Sequence, residues 1–175
     1  YTPVSEGGAG CVACHVGDFF TDEGFHNIAM PQIGEGKGNG TNGTDDFGRM
    51  RETALLADKY AFRTPTLLNV EFTGPYGHSG AYDSLRDVIR HHLTPASSIT
   101  EYFGVNGQCE GLLQLNSGDS CEDISNDDAE TNTGLALSLL ESQQAAGTSK
   151  LVTANLSEQQ IDQLDSFRQK NENSK

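Results

Sequence analysis

Basic residues are scarce in this chain. Of its 175 residues only 11 are Lys or Arg, against 25 Asp or Glu, giving a formal net charge of -14. That argues against nucleic acid and anionic membrane surfaces as partners and favours a partner with a basic patch. The same charge would also keep an extracellular protein soluble. Long apolar runs are missing as well: nothing approaches the roughly 20 residues of a membrane span. Apolar residues make up 35% of the chain, lean for a core of this size, which leaves room inside for a large cofactor. There is no start methionine and no signal-peptide pattern at "YTPVSEGG", so the chain reads as a mature protein or an excised domain. No internal repeat is visible, and one domain spanning 1–175 is expected.

Cysteines number only four, in two unlike pairs. Cys109 and Cys121 bracket the polar stretch "CEGLLQLNSGDSC" with no histidine nearby. A disulfide is the natural reading; closing so small a loop contributes roughly 2–3 kcal/mol and implies an oxidising, periplasmic or extracellular compartment. Cys11 and Cys14 sit in "CVACH" with His15, the attachment signature of a c-type haem. Two thiols at this spacing reach the vinyl groups of one haem while the adjacent imidazole reaches the iron. A zinc half-site or a thioredoxin-like pair would need a second CxxC or a βαβ pattern, and neither is present. One CxxCH predicts one covalent haem c with His15 as an axial ligand.

The other axial position decides the chemistry. An open position allows oxygen or peroxide chemistry; a second protein ligand favours electron transfer. The candidates are His26, His78, His91, His92, Met30 and Met50. In "YDSLRDVIRHHLTP" a helix is expected from an N-cap at Asp83 or Ser84 to Pro95. Leu85, Val88, Ile89 and Leu93 form its apolar stripe, and His92 fills the vacant place on it. His91 falls about 100° away and is expected to be a helix-end residue favoured by the dipole. A histidine on such a stripe is ordinarily a hydrogen-bonded core residue; beside a haem, iron becomes its partner.

Elsewhere, "GEGKGNGTNGTDDFG" at 34–48 is a Gly/Asn/Asp loop, "RETALLADKY" a short helix, and "AFRTPTLLNVEFTGPYGHSGAY" an extended loop wrapping something. Residues from about 104 to 134 read as a loop-rich insertion whose acidic run "EDISNDDAE" is a solvated surface, with a weak calcium site as the alternative. "GLALSLLESQQ" is a further helix. A closing helix at 157–170 opens with a Ser157/Gln160 capping box and lines up Ile161, Leu164 and Phe167. His26 is expected to hydrogen-bond to backbone. Arg49, Arg51 and Lys59 are candidates for propionate pairing or plain surface residues. Phe19, Phe20, Phe25, Phe62 and Tyr76 are expected to pack in the core or on the haem.

The combination of "CVACH", "FHNIAMP", "DDFGRM", "AFRTPTLLNV" and "TGPYGHSGAY" resembles the bacterial di-haem cytochrome c peroxidase and MauG family. The resemblance runs over roughly residues 9–93, plus the closing helix, and is to the C-terminal, electron-transferring haem domain. It implies an all-α, cytochrome c-like domain (core 9–95) with long loops. It implies that Arg63 suits a haem propionate and that Thr73 and Pro75 lie in a loop whose carbonyls help bind calcium between two domains. His78 matches a histidine near the haem that is not axial. The family's second ligand, Met in the peroxidases and Tyr in MauG, stands fourteen residues after that histidine, which here is His92. The departures matter too. The peroxide-reacting domain has no counterpart in this sequence, nor has the tryptophan that bridges the two haems, since the chain has no Trp. "TLLNV" replaces the usual "TLRNV", and the 104–134 insertion is foreign to the peroxidases.

These readings converge on a mono-haem c-type cytochrome domain carrying electrons through a low-spin haem held by His15 and His92. Its partner would be a redox protein with a basic docking patch, and the chain would be a module of a larger secreted protein. The rivals are a peroxidase reducing hydrogen peroxide, a haem-based sensor, and a haem that only organises the fold.

Overall fold

The computed structural model describes residues 2–104 and 126–166. The architecture is mainly helical, as expected. α1 spans Met50–Thr53, α2 Leu85–Leu93, α3 Pro95–Gly104, α4 Asn126–Ala145 and α5 Glu158–Ser166. One antiparallel ladder joins β1, Phe25–His26, to β2, Phe62–Arg63, with Phe25 opposite Arg63 and His26 opposite Phe62. Long loops with single 3-10 turns connect these elements, and one such turn, Cys11–Ala13, carries the first cysteine.

α4 is the spine of the core. Its Ala136 and Leu140 pack with Ala29, Tyr60 and Ile99, and its Ala129 joins Met30, Ile33, Ala81 and Tyr82. Polar groups lock the 27–33 segment onto the same helix. The Asn27 side chain donates to the Ala136 carbonyl at 2.9 Å, and the Gln32 N–H donates to Thr133 Oγ1 at 2.8 Å. Thr133 in turn donates to the Ala129 carbonyl one turn back, so these buried polar atoms are satisfied as burial requires. A third cluster, Leu93, Ala154 and Ile161, packs α2 against α5.

Helix starts follow the sequence signals. The Ser84 side chain accepts from the Asp87 N–H to cap α2, and Pro95 opens α3 immediately after α2 ends. At α5 the capping box forms: the Gln160 N–H donates to Ser157 Oγ, and the Ser157 N–H donates to Gln160 Oε1. Leu164 is half-buried on this helix, while Phe167 lies outside the described residues.

Two expectations about elements fail. "RETALLADKY" is not one helix: Ala54 turns left-handed at φ 56°, closing α1, and only a 3-10 turn at Leu56–Asp58 follows. Leu55 and Leu56 stay exposed, so no apolar stripe anchors a longer helix there. The stretch 126–134, read as part of a loop, is instead the first half of α4. Asp128 of the acidic run is not simply solvated, for Asn42 and Thr44 of the glycine-rich loop donate to its carboxylate. That loop closes on itself through an Asn39–Asp45 bridge. It needs glycine at Gly36, where φ is +66° and a Cβ would collide with the Thr44 carbonyl. Cys109 and Cys121, with their expected disulfide, lie outside the described residues.

Candidate metal centre

The Cys11–Ala13 turn ends at Cys14, whose backbone is neither helical nor extended (φ -120°, ψ -39°), and His15 follows. The His15 and Cys14 N–H groups both return to the Cys11 carbonyl, so the motif is a closed loop rather than part of a longer helix. Cys11 and Cys14 are half-buried free thiols. Burial raises both, and the Asp22 charge adds to the rise at Cys14. His15 donates from Nδ1 to the Phe20 carbonyl at 2.9 Å. Burial lowers its imidazole, opposed by the Phe20 and Pro65 carbonyls and by the Asp22 charge.

His92 has a matching arrangement. Its Nδ1 donates to the Val88 carbonyl at 2.7 Å, one turn back on α2. Burial lowers this imidazole as well, and the charge of His15 contributes to the fall. Two segments more than seventy residues apart are thus brought within electrostatic reach. In both rings Nδ1 carries the proton, which fixes the tautomer and leaves Nε2 as the lone-pair nitrogen that a metal takes. No hydrogen bond engages the His92 Nε2 among the described residues.

His91 is more than the expected helix-end residue favoured by the dipole. It is fully buried. Its Nε2 must donate to the Ile28 carbonyl at 2.8 Å, so its Nδ1 accepts from the Tyr82 hydroxyl at 2.9 Å, and Ser98 Oγ then donates to Tyr82. Both ring nitrogens are occupied, which removes it as a ligand. Burial drives its imidazole down to about 3, so it is neutral and gains nothing from the helix dipole. The helix is covered on both sides, by α3 and by the Ile28 loop, and a one-face reading of α2 could not see the second cover.

The other sequence candidates scatter. Arg63 pairs with Glu23 at 2.8 Å on an exposed face. His78 stacks on Phe62 with ring centres 3.8 Å apart, and its Nε2 lies 3.3 Å from Asp46. Thr73 donates to the Val70 carbonyl, next to the Gly74–Pro75 peptide, which is cis. Met30 is buried in the core against Ile33 and Tyr82. Arg49 pairs with Asp58 and lies over the Phe25 ring, and Lys59 lies over Phe47 and Tyr60. His26 bonds to the Asp22 carboxylate at 2.9 Å, not to backbone. Phe19, Phe20 and Phe25 are not core residues: each is exposed, Phe19 at 69%.

Phe19, Pro65 and Leu68 line a cleft of about 420 Å³ with Thr21, Glu23, Arg63, Thr64 and Thr66. Two hydrogen bonds tie its walls together, from Thr66 to the Phe19 carbonyl and from Thr21 to that of Thr64. None of Cys11, Cys14, His15 or His92 lines it. Sequence reasoning missed the cluster behind the turn. Cys14 Sγ, an Asp22 oxygen and a His26 ring nitrogen all lie within 4.8 Å of one another. Lys150, from the far end of the chain, donates to Asp22 Oδ2 at 2.8 Å. The spacing of Asp22, Gly24 and His26 hinted at a turn built around one carboxylate; nothing in the sequence pointed to Lys150.

Two thiols on a closed turn, a following imidazole and a second imidazole with no hydrogen bond at Nε2 among the described residues are the kinds of donor that a c-type haem uses. The comparisons with known proteins fall in the same class. Over 87 residues, half of this chain, it is 37% identical to the methylamine utilization protein MauG of Methylorubrum extorquens, covering 22% of that protein. It is 35% identical over 88 residues to MauG of Methylophilus methylotrophus, covering 23% of it. It is 33% identical over 82 residues to the cytochrome c551 peroxidase of Nitrosomonas europaea, again covering 23%. The chain therefore spans under a quarter of the length of these relatives. No family model and no solved structure matches it. Over about half its length the chain is homologous to MauG and the cytochrome c peroxidases, consistent with a C-terminal haem domain of those di-haem proteins.

Proposed function

We propose that the chain is a mono-haem c-type cytochrome domain whose work is electron transfer, with haem c joined to Cys11 and Cys14 and its iron held by His15 and His92. The observation that carries this reading is the shared tautomer: both imidazoles spend Nδ1 on a main-chain carbonyl and keep Nε2 for a metal. A bound haem c would supply a one-electron redox centre; two imidazole ligands, without a methionine, keep its potential on the low side. The chain's part is positioning. The Phe20 and Val88 carbonyls hold the two rings, and α2 carries His92 as a rigid arm. Arg63 would leave Glu23 to pair a propionate. The carbonyls of Thr73 and Pro75 would offer calcium half a site, completed by a second domain. His78, stacked on Phe62, would pack near the haem without binding iron. The setting is a periplasmic or extracellular module of a larger protein, with a basic redox partner. No helix among the described residues is long and apolar enough to cross a membrane.

The relatives' names favour a second reading, peroxide reduction, which needs an iron position that opens. Ferric optical and EPR spectra of the haem-loaded protein separate the two. Low-spin iron, unaffected by cyanide or peroxide and silent to carbon monoxide when reduced, is the expected result; high-spin iron that binds them quickly would sink the bis-histidine reading. His92→Ala should convert low-spin to high-spin, whereas His91→Gln should leave the spectrum low-spin.

A further inference from the structure

Behind the attachment turn sits a charge cluster that the ligand set does not use. The Asp22 carboxylate is only 12% exposed. Its Oδ1 accepts from the Gly24 N–H at 2.8 Å, and its Oδ2 accepts from His26 at 2.9 Å and from Lys150 at 2.8 Å. An oxygen of this carboxylate lies within 4.8 Å of Cys14 Sγ. Its charge reaches the His15 imidazole, and the Lys150 charge reaches Cys14. Three ligand-type side chains this close could suggest a metal site. The Lys150 ammonium, however, already neutralises the carboxylate, and Cys14 has another task.

We propose that Asp22 and Lys150 are the residues that tune the reduction potential of the haem, acting as fixed charges of opposite sign on the attachment side. The proposal rests on the ligation reading above. Reduction adds an electron to the centre, so a nearby anion opposes it and a nearby cation favours it, by an amount set by distance and local dielectric. Asp22 is mostly buried and close, so its field is weakly screened. Lys150 is half exposed, and water and salt weaken its effect. The arrangement links the potential to Lys150, in the segment after α4.

The test compares midpoint potentials of the haem-loaded protein and of Asp22→Asn and Lys150→Met, each with its ferric spectrum. Asp22→Asn should raise the potential. Lys150→Met should lower it, by less, and the Lys150→Met shift should shrink in high salt. The low-spin spectrum should persist in both. Both variants break the same ion pair, so a merely structural role would move the two potentials the same way; that result, or no shift in either, would overturn the proposal. If Asp22→Asn does not fold, Lys150→Met decides alone, since an unchanged or raised potential contradicts the assignment. A wild-type spectrum that is not low-spin would count against His92 as ligand, yet the opposed shifts would still be expected from a haem ligated by His15 alone.

Discussion

At the scale of single residues, adjacent histidines have unlike tasks. His91 holds three parts of the molecule together through Tyr82, Ser98 and the Ile28 carbonyl. Truncating it would leave a cavity and two unpaired polar groups. His91→Ala should therefore cost about 2–4 kcal/mol in urea unfolding; His91→Gln, which can donate to one side and accept from the other, should recover much of that. A second residue-scale expectation concerns acid. Burial raises the Asp22 carboxyl, but hydrogen bonds from Lys150, His26, the Gly24 N–H and Thr64 outweigh it and hold the group well below the usual carboxylate range. A group depressed in the folded state adds stability above its ordinary value near 4 and loses it as pH falls toward the folded value. The stability difference between wild type and Asp22→Asn should thus be constant near neutrality and shrink steadily below about pH 4. A difference that stays flat into strong acid would show that the ion pair is not the source.

At the scale of elements, α2 is the lever of the site and α5 is its latch. Arg86 reaches Asp162 and Glu158, and Arg90 reaches Glu158, while Ile161 packs on Leu93 and Ala154 beneath them. The charges are exposed and screened, so the apolar contact should dominate. Ile161→Ala should cost about 2–4 kcal/mol by thermal or urea unfolding, with Glu158→Gln much milder and its effect fading in salt. Ser84→Ala, which removes the cap of α2, should cost about 1 kcal/mol. These elements were legible because caps and apolar spacing are local. Ser84 and the Ser157/Gln160 box announced their helices and Pro95 the end of α2, whereas the helix that begins at Pro95 was not foreseen. What was not legible depended on long-range packing. The covering of His91 is set by α3 and the Ile28 loop, the break at Ala54 by the lack of anything for Leu55 and Leu56 to pack against, and the Asp22–Lys150 pair by segments 128 residues apart meeting in space.

At the scale of the whole molecule, the lean composition and the exposed aromatics belong together. The buried clusters are small and rest on alanines, tyrosines and satisfied polar groups. Meanwhile Phe19 and Phe72 are 69% and 74% exposed, with Leu68 beside the cleft. Exposed side chains of this size present apolar surface that the proposed haem or a partner would cover. Burying apolar surface at about 25 cal/mol per Å² gives a large flat cofactor a sizeable share in the stability of so small a domain, and binding to the folded state alone shifts unfolding further. The haem-free Cys11→Ala/Cys14→Ala protein should therefore melt well below the haem-loaded one, by ten degrees or more on the order of. It should also bind a hydrophobic dye at neutral pH and unfold less cooperatively in calorimetry. Equal melting temperatures with no dye binding would mean that the apolar face serves a partner protein and that the fold stands without the cofactor.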